Sequence, residues 1–414
     1  MPPRDFAVPA SELHIDNALE KNVRLEASYD RHMRLSFRYF GVLRPESFGA
    51  AQQKIWMSGH NFPEDVSLIA TLKRITSDGT FEMRMASKTE PFLMRQRDDA
   101  THVNAVVING PEIYLGEQHL LFEHDGFQIN YEEFPKTEEL REQKKGLRKD
   151  CIATGILKVS RTDKSIIEPN AALRAISHLA RYLRFVRGGN CGIGHMVGLN
   201  KSEEIAFTYL GFQPCDQFHL STGWHDLTTG GCLSEVYRLY SDAVRVEADT
   251  FVILRAIAFY RASNVTRDSD LEMALVAGHT ALETLVPHLL LTRFGWSNSK
   301  LQDKAFHDKL RAVVGLVGLL GDPFEHLPEI GNRALLESCR DAYELLSRFR
   351  NRIVHPGDGF KYTGVELTEV WNFSLWLCEV LIFFYIGYRG KMNDRRKYNG
   401  WRGGAVAVPL PKTD

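Results

Sequence analysis

The chain has 414 residues, 51 Lys and Arg against 52 Asp and Glu, with 44% hydrophobic and 25% charged residues. That is the composition of an ordinary globular protein with enough chain for two or three domains. A formal charge of −1 excludes a globally basic nucleic-acid binder and an acidic solvating protein alike, so electrostatic recognition has to come from a local patch. Six cysteines are scattered with no C-x-x-C pair, which argues against a zinc ribbon or a dense disulfide framework. Met1–Phe6 lacks the basic-then-apolar run of a secretion signal, and a cytoplasmic location is expected.

The first half reads as antiparallel β structure. Arg34–Tyr39 has strand character, and Val66–Ile75 and Thr80–Ser87 are joined at Ser77-Asp78-Gly79, where glycine supplies the positive φ of a tight turn. Val103–Ile108 is expected to meet Glu112–Leu115 through Asn109-Gly110, and Leu120–Glu123 to meet Phe127–Tyr131 through Asp125-Gly126. With Cys151–Val159 as a further strand, these segments predict a β-rich, sandwich or barrel-like domain over residues 1–165. The charged stretch Lys136–Asp150 is read as a solvated excursion within it.

From Pro169 the period changes. Leu173, Ile176, Leu179, Leu183 and Val186 recur at spacings of three and four, and Gly188-Gly189 ends the pattern, which predicts one amphipathic helix. Gly192–Leu199 and Ile205–Leu210 follow as short strands, so residues 166–234 either complete the first domain or bridge it to the next. Beyond 235, helical stripes cover Asp242–Ala262, Asp268–Arg293, Lys300–Leu320, Asn332–His355 and Glu366–Tyr388, predicting an all-α bundle over 235–390. The fold class is α+β multidomain. Val370–Tyr388 is apolar enough to suggest a membrane span, but Glu379 at its centre would be costly there. It is read as a core or interface helix, with no membrane partner. Residues 391–414 are expected to form a basic tail.

Most of the possible chemical signals dissolve on inspection. The glycine-rich 188–194 segment follows a helix, whereas a dinucleotide fingerprint needs a strand before and a helix after, so it reads as a helix end. His279 and Glu283 lie four apart on one helix, but there is no H-E-x-x-H and no third ligand; no metal and no cofactor are expected. His219 and His225 fall in a loop.

The exception is Arg348-Phe349-Arg350-Asn351-Arg352-Ile353-Val354-His355-Pro356-Gly357. Pro356 disfavours the α conformation at His355, so the helix should stop there and leave the imidazole at a solvent-reachable edge. Arg350 and His355 are five steps apart, about 140° around a regular helix and about 7.5 Å along it, so they share a groove only if the end unwinds or a second copy faces them. The residue types suit metal-independent RNA cleavage. His exchanges protons near neutral pH, Arg matches phosphate oxygens, and Asn can orient a hydroxyl. The competing explanation is structural, because Arg complements a helix C-terminus and His before Pro-Gly caps it.

Arg350-Asn351-Arg352-Ile353-Val354-His355 resembles the R-N-x-x-x-H form of the motif of the HEPN superfamily, and Ala281-Leu282-Glu283-Thr284-Leu285 is similar to a stretch of its Apea-like branch. The resemblance covers about residues 235–390 and implies an endoribonuclease that leaves 2′,3′-cyclic phosphate and 5′-OH ends. It gives Arg350 the scissile phosphate, His355 acid–base work, Asn351 substrate positioning and Glu283 the orientation of Arg or His. It also implies a homodimer with a composite cleft, and an antiviral, abortive-infection or toxin-like effector whose β-rich domain senses a phage-derived trigger. Non-catalytic members of the superfamily make a nucleotide- or RNA-binding regulatory module the alternative. RNA, with tRNA as one candidate, is the expected partner, bound in addition by Arg348 and Arg352. Between Arg389 and Arg402, six basic residues stand against Asp394, with Tyr398 and Trp401 among them, so Arg395, Arg396 and Lys397 join the expected RNA contacts.

Overall fold

The computed structural model describes residues 5–15, 18–29, 34–42, 55–58, 66–75, 80–87, 91–112, 119–135, 137, 139, 151–217, 223–225, 232–245, 247–355, 362–397 and 404–411. The turn at Ser77–Gly79, the segments 140–150 and 356–361, His219, Tyr398 and Trp401 lie outside the described residues. The architecture is α+β: a β-rich N-terminal region and a helical C-terminal half, with nine helices among the described residues. The chain divides into two compact units, one of 1–110, 121–180 and 191–220, the other of 111–120, 181–190 and 221–414.

In the first unit, β1 (Asp5–Ile15), β2 (Ala18–Tyr29), β3 (Leu35–Val42), β4 (Ile55–Ser58), β5 (Val66–Ile75) and β6 (Thr80–Ser87) close into an antiparallel barrel in the order β1-β2-β3-β6-β5-β4. Side chains alternate with the two-residue period of a strand: Leu25 and Ala27 are buried while Glu26 between them is exposed. Leu35, Phe37, Met57, Leu68, Met83 and Met85 complete a filled interior, as a barrel of so few strands requires. The hairpin of β5 and β6 has the bounds that the sequence predicts, and β1, β2 and β4 were not anticipated.

The second sheet has seven strands, β7 (Phe92–Arg95), β8 (His102–Ile108), β9 (His119–His124), β10 (Phe127–Glu133), β11 (Ala153–Arg161), β12 (Gly192–Leu199) and β13 (Ile205–Phe212), in the order β7-β13-β12-β8-β11-β10-β9. The Asp125-Gly126 turn joins β9 to β10 with both residues at positive φ, the backbone of a two-residue hairpin. The Asn109-Gly110 hairpin does not form, because both edges of β8 are taken by β11 and β12. Asn109 does adopt a φ of 50°, but its side chain ties neighbouring segments, accepting from the Ile152 N–H at 2.8 Å and donating to the Asp216 carbonyl at 3.0 Å. The two strands assigned to a bridging segment, β12 and β13, are interior to this sheet. β12 bulges at His195, whose φ is 46° and whose Nδ1 lies 3.1 Å from the Tyr29 hydroxyl. Burial pushes that imidazole down to about 4. Helix α1 (Pro169–Arg187) rests on the sheet through Tyr209 to Asn170 (2.7 Å) and Gln213 to Ser177 (2.8 Å), and Gly188 ends it at a φ of 70°.

The second unit holds α2 (Cys232–Ala243), α3 (Glu247–Thr266), α4 (Leu271–Thr292), α5 (Asn298–Gln302), α6 (Phe306–Leu316), α7 (Pro328–Leu336), α8 (Ala342–Val354) and α9 (Gly364–Ile386), then β14 (Lys391–Asn393) paired with β15 (Ala405–Ala407). Two expected long helices, Lys300–Leu320 and Asn332–His355, are each two shorter ones, and local chemistry gives the reason for the second break. Ser338 turns the chain at a φ of 52°, and Asp341 caps α8 by accepting from the Glu344 N–H at 3.0 Å. α9 begins with a capping box between Thr363 and Glu366 and stops at Gly387, whose φ is 79°. Both α4 and α9 are long and apolar enough to cross a membrane by length and composition. The apolar window of α9 is 89% buried inside the protein, so its surface is used by its own core. Of the two readings of this helix, core or interface, its burial supports the core.

Inside that core, Glu379 is fully buried and accepts from the Tyr260 hydroxyl of α3 at 2.5 Å and from Arg395 at 2.8 Å. Arg395 is itself 4% exposed, and its guanidinium packs over the rings of Tyr260 and Trp371. Residues 391–397 are thus part of the bundle and not a solvated tail. Because one partner alone would be an uncompensated buried charge, Arg395→Met or Glu379→Gln is expected to cost about 3–5 kcal/mol in urea unfolding. The Glu379→Met, Arg395→Met double variant should be less destabilised than the sum of Glu379→Met and Arg395→Met measured alone.

Candidate functional site

The helix bearing the motif, α8, packs against α4, α6 and α7. Gly278 on α4 leaves no room for a side chain: a Cβ there would lie 2.8 Å from the Ser374 hydroxyl of α9 and 3.1 Å from that of Ser263 on α3. This fixes the rotation of α4, and the next residue, His279, is buried, its ring 4.7 Å from that of Phe306 at the start of α6. One turn on, Glu283 is half-buried. Pro287, four residues further, lacks the N–H that would bond the Glu283 carbonyl, so α4 is loosened at this point.

Glu283 spans two partners. Its Oε1 lies 3.5 Å from His279 Nδ1 and its Oε2 lies 3.9 Å from Arg350 Nη2 on α8. His279 beside it, followed by the charges of Arg350 and Lys309, holds its carboxyl below the usual range against the opposing effect of burial. Arg350 Nη1 donates to the Asn351 side-chain oxygen at 3.3 Å, while its Nε is buried with no hydrogen-bond partner. The structure therefore joins Arg350, Asn351 and Glu283 of the expected site and adds His279, whose i, i+4 spacing from Glu283 was visible but whose burial against Phe306 was not.

His355 stands apart. It is the exposed C-cap of α8, its N–H bonded to the Asn351 carbonyl at 2.7 Å, and no side-chain hydrogen bond or ion pair joins it to Arg350 or Glu283. The angular separation expected along the helix persists to its end.

The other expected RNA contacts are engaged within the chain. Two residues from Arg350 is about 200° around the helix, so Arg348 and Arg352 share the opposite face. Arg348 pairs with Glu344 at 2.6 Å and donates to the Glu337 carbonyl at 2.9 Å; Arg352 meets Glu337 at 2.6 Å and the Tyr362 hydroxyl at 2.5 Å. Arg395 is buried against Glu379. Arg396 pairs with Asp394 at 2.8 Å and lies 3.7 Å from the centre of the Trp376 ring, and Lys397 is half-buried, its N–H bonded to the Asp394 carbonyl. These four arginines are corrected from free phosphate ligands to members of intramolecular pairs. His225 bonds the Glu112 carbonyl at 2.9 Å. Among the described residues no group of three or more His, Cys, Asp or Glu is placed to hold a metal ion.

Residues 102–221 match the YopA central domain and residues 247–406 match the YopA C-terminal domain. The chain is similar to YopA. The likeness to YopA overturns the HEPN resemblance, since the helical half matches the YopA C-terminal domain and no HEPN match accompanies it. The physical reason is that an Arg-Asn and a His five residues later will arise at many helix ends that stop before proline. The YopA match also runs past 390 through β14 and into β15, taking in the segment that supplies Arg395 to the core. No curated protein and no solved structure matches the chain.

The depressed carboxyl of Glu283 makes a signed prediction. Its stabilising effect is present above the unfolded value of 4.5 and is lost as pH falls through the lower folded value. Because the pair is partly exposed, Glu283→Gln should cost less than about 1 kcal/mol at pH 7. The difference from wild type, followed by urea midpoints, should shrink steadily as pH is lowered below 4.5.

Proposed function

We propose that this protein is an endoribonuclease acting in the cytoplasm by side-chain acid–base chemistry, with Arg350, Asn351 and His355 meeting RNA and Glu283 positioning Arg350. The observation that supports this reading is Glu283 spanning His279 and Arg350. It holds a permanent cation, partly exposed, beside an amide on the helix whose end presents an exposed imidazole. In the reaction the 2′-oxygen attacks phosphorus and the bond to the 5′-oxygen breaks. His355 takes the 2′ proton as that bond forms and returns it to the departing 5′-oxygen, and Arg350 stabilises the charge on the phosphorane. Since Arg350 and His355 diverge within one chain, a homodimer that brings one copy's His355 to the other's Arg350 is part of the proposal. As a toxin-like effector it would arrest a bacterial host on expression.

A second reading is recognition of RNA or a nucleotide without cleavage. It is favoured by the lack of any contact between Arg350 and His355 and by the pairing of Arg348 and Arg352 with carboxylates.

The test is incubation of the purified chain with total RNA or tRNA in EDTA, with mapping of the ends produced. Arg350→Ala and His355→Ala should each slow cleavage by about 10²–10⁴, and mixing the two variants should restore part of the activity through mixed dimers. Cleavage by His355→Ala as fast as wild type would refute the assignment, and RNA binding with no cut under any condition would establish the second reading.

A further inference from the structure

The arginines that the sequence singles out are compensated by carboxylates, which directs attention to cations that are not. Arg293 and Lys300 are exposed, and neither has a carboxylate within ion-pair distance among the described residues. Each lies over an aromatic face instead: Arg293 is 4.6 Å from the centre of Tyr385, and Lys300 is 4.0 Å from that of Trp296. Between them Phe294 stacks on Phe384 at 5.8 Å, both rings half-buried. The segment from Arg293 to Lys304 carries three basic residues against Asp303, and the ends of α4 and α9 hold the rings in place. Arg293 also caps α4 and Lys300 lies in the last turn of the short α5, where a cation complements the helix dipole, but Trp296 has no such role.

We propose that this end of the bundle is a binding surface for single-stranded RNA, with Arg293 and Lys300 on phosphates and a base stacked on Trp296. The two features are those single-strand binders combine: uncompensated positive charge for the backbone and an aromatic ring, here the partly exposed Trp296, on which any base can stack. The ring beneath each cation holds its aliphatic stem against the surface, so phosphate meets an oriented charge. Glu283 and Arg293 are ten residues apart on α4, about 15 Å along the helix, so a short strand crossing this surface can reach the Arg350 site. The inference rests on RNA being the substrate, and it can fail separately from the nuclease assignment.

The experiment is fluorescence anisotropy of a labelled oligouridine strand with the full chain carrying His355→Ala, which prevents cutting during the measurement. Adding Arg293→Ala and Lys300→Ala should weaken binding at least about tenfold and reduce the slope of log affinity against log salt by about 1.4 in magnitude. Trp296→Leu should weaken it about tenfold and Trp296→Phe should preserve it. Binding unchanged in the double variant, or equal binding of polyglutamate with no sensitivity to Trp296, would overturn the proposal, the latter marking an acidic-protein surface. A chain that binds through these residues but never cuts RNA would leave the surface standing and remove the nuclease reading. A chain that cuts and binds as well without Arg293 and Lys300 would do the reverse.

Discussion

A carboxylate in the middle of the most apolar helix governs the C-terminal unit. Glu379 is fully buried, and burial pushes its carboxyl up, opposed chiefly by the charge of Arg395 and then by the Tyr260 hydroxyl. Neither partner lies on α9. Tyr260 requires α3 to pack beside it, and Arg395 requires the chain to turn at Gly387 and come back, which the pairing of β14 with β15 secures. The same two helices meet α4 at Gly278, whose missing side chain lets α4 settle against α9 and α3. One costly buried charge is thereby linked to the placement of α4, and with it to His279 and Glu283 on the face that meets α8.

Compensation of charge also sorts the basic residues. In a chain with 51 cations and 52 anions, a count reveals nothing about recognition; the informative cations are those whose field is not cancelled nearby. Arg333 with Glu366 joins α7 to α9 and Arg352 with Glu337 joins α8 to the end of α7, while Arg348 with Glu344 is an i, i+4 pair within α8. Arg350 is intermediate, paired with Glu283 at 3.9 Å and partly open to solvent. Arg293 and Lys300 sit over rings, which orient a cation without neutralising it, so their charge projects outward.

What could be read from the sequence followed from periodicity, and what could not followed from long-range partners. The bounds of β5, β6 and β12 were legible because alternation and turn residues act locally. Asn109-Gly110 looked like a hairpin turn for the same reason, yet the sheet gave both edges of β8 to strands far away in sequence. The split of Asn332–His355 turned on one capping aspartate, Asp341, inside an unbroken apolar stripe. Arg395 was the largest misplacement: six basic residues in a row of fourteen read as a solvated tail unless Glu379, sixteen residues earlier, is recognised as needing a partner. The signal was present, because a carboxylate at the centre of a buried helix demands a cation or a donor from elsewhere in the chain.

The same reasoning bears on the motif at the end of α8. Helix geometry sets Arg350 and His355 at different angles, and the structure does not unwind the helix to reconcile them. Arg350 is directed inward toward Glu283, which is itself held by a buried imidazole, whereas His355 is displayed where the helix stops. A pair arranged this way serves one reaction only when a second surface completes it, either another copy of α8 or the strand that lies across both. Arg350 is thus the oriented half of the arrangement, and His355 is the half whose role is set by what docks against it.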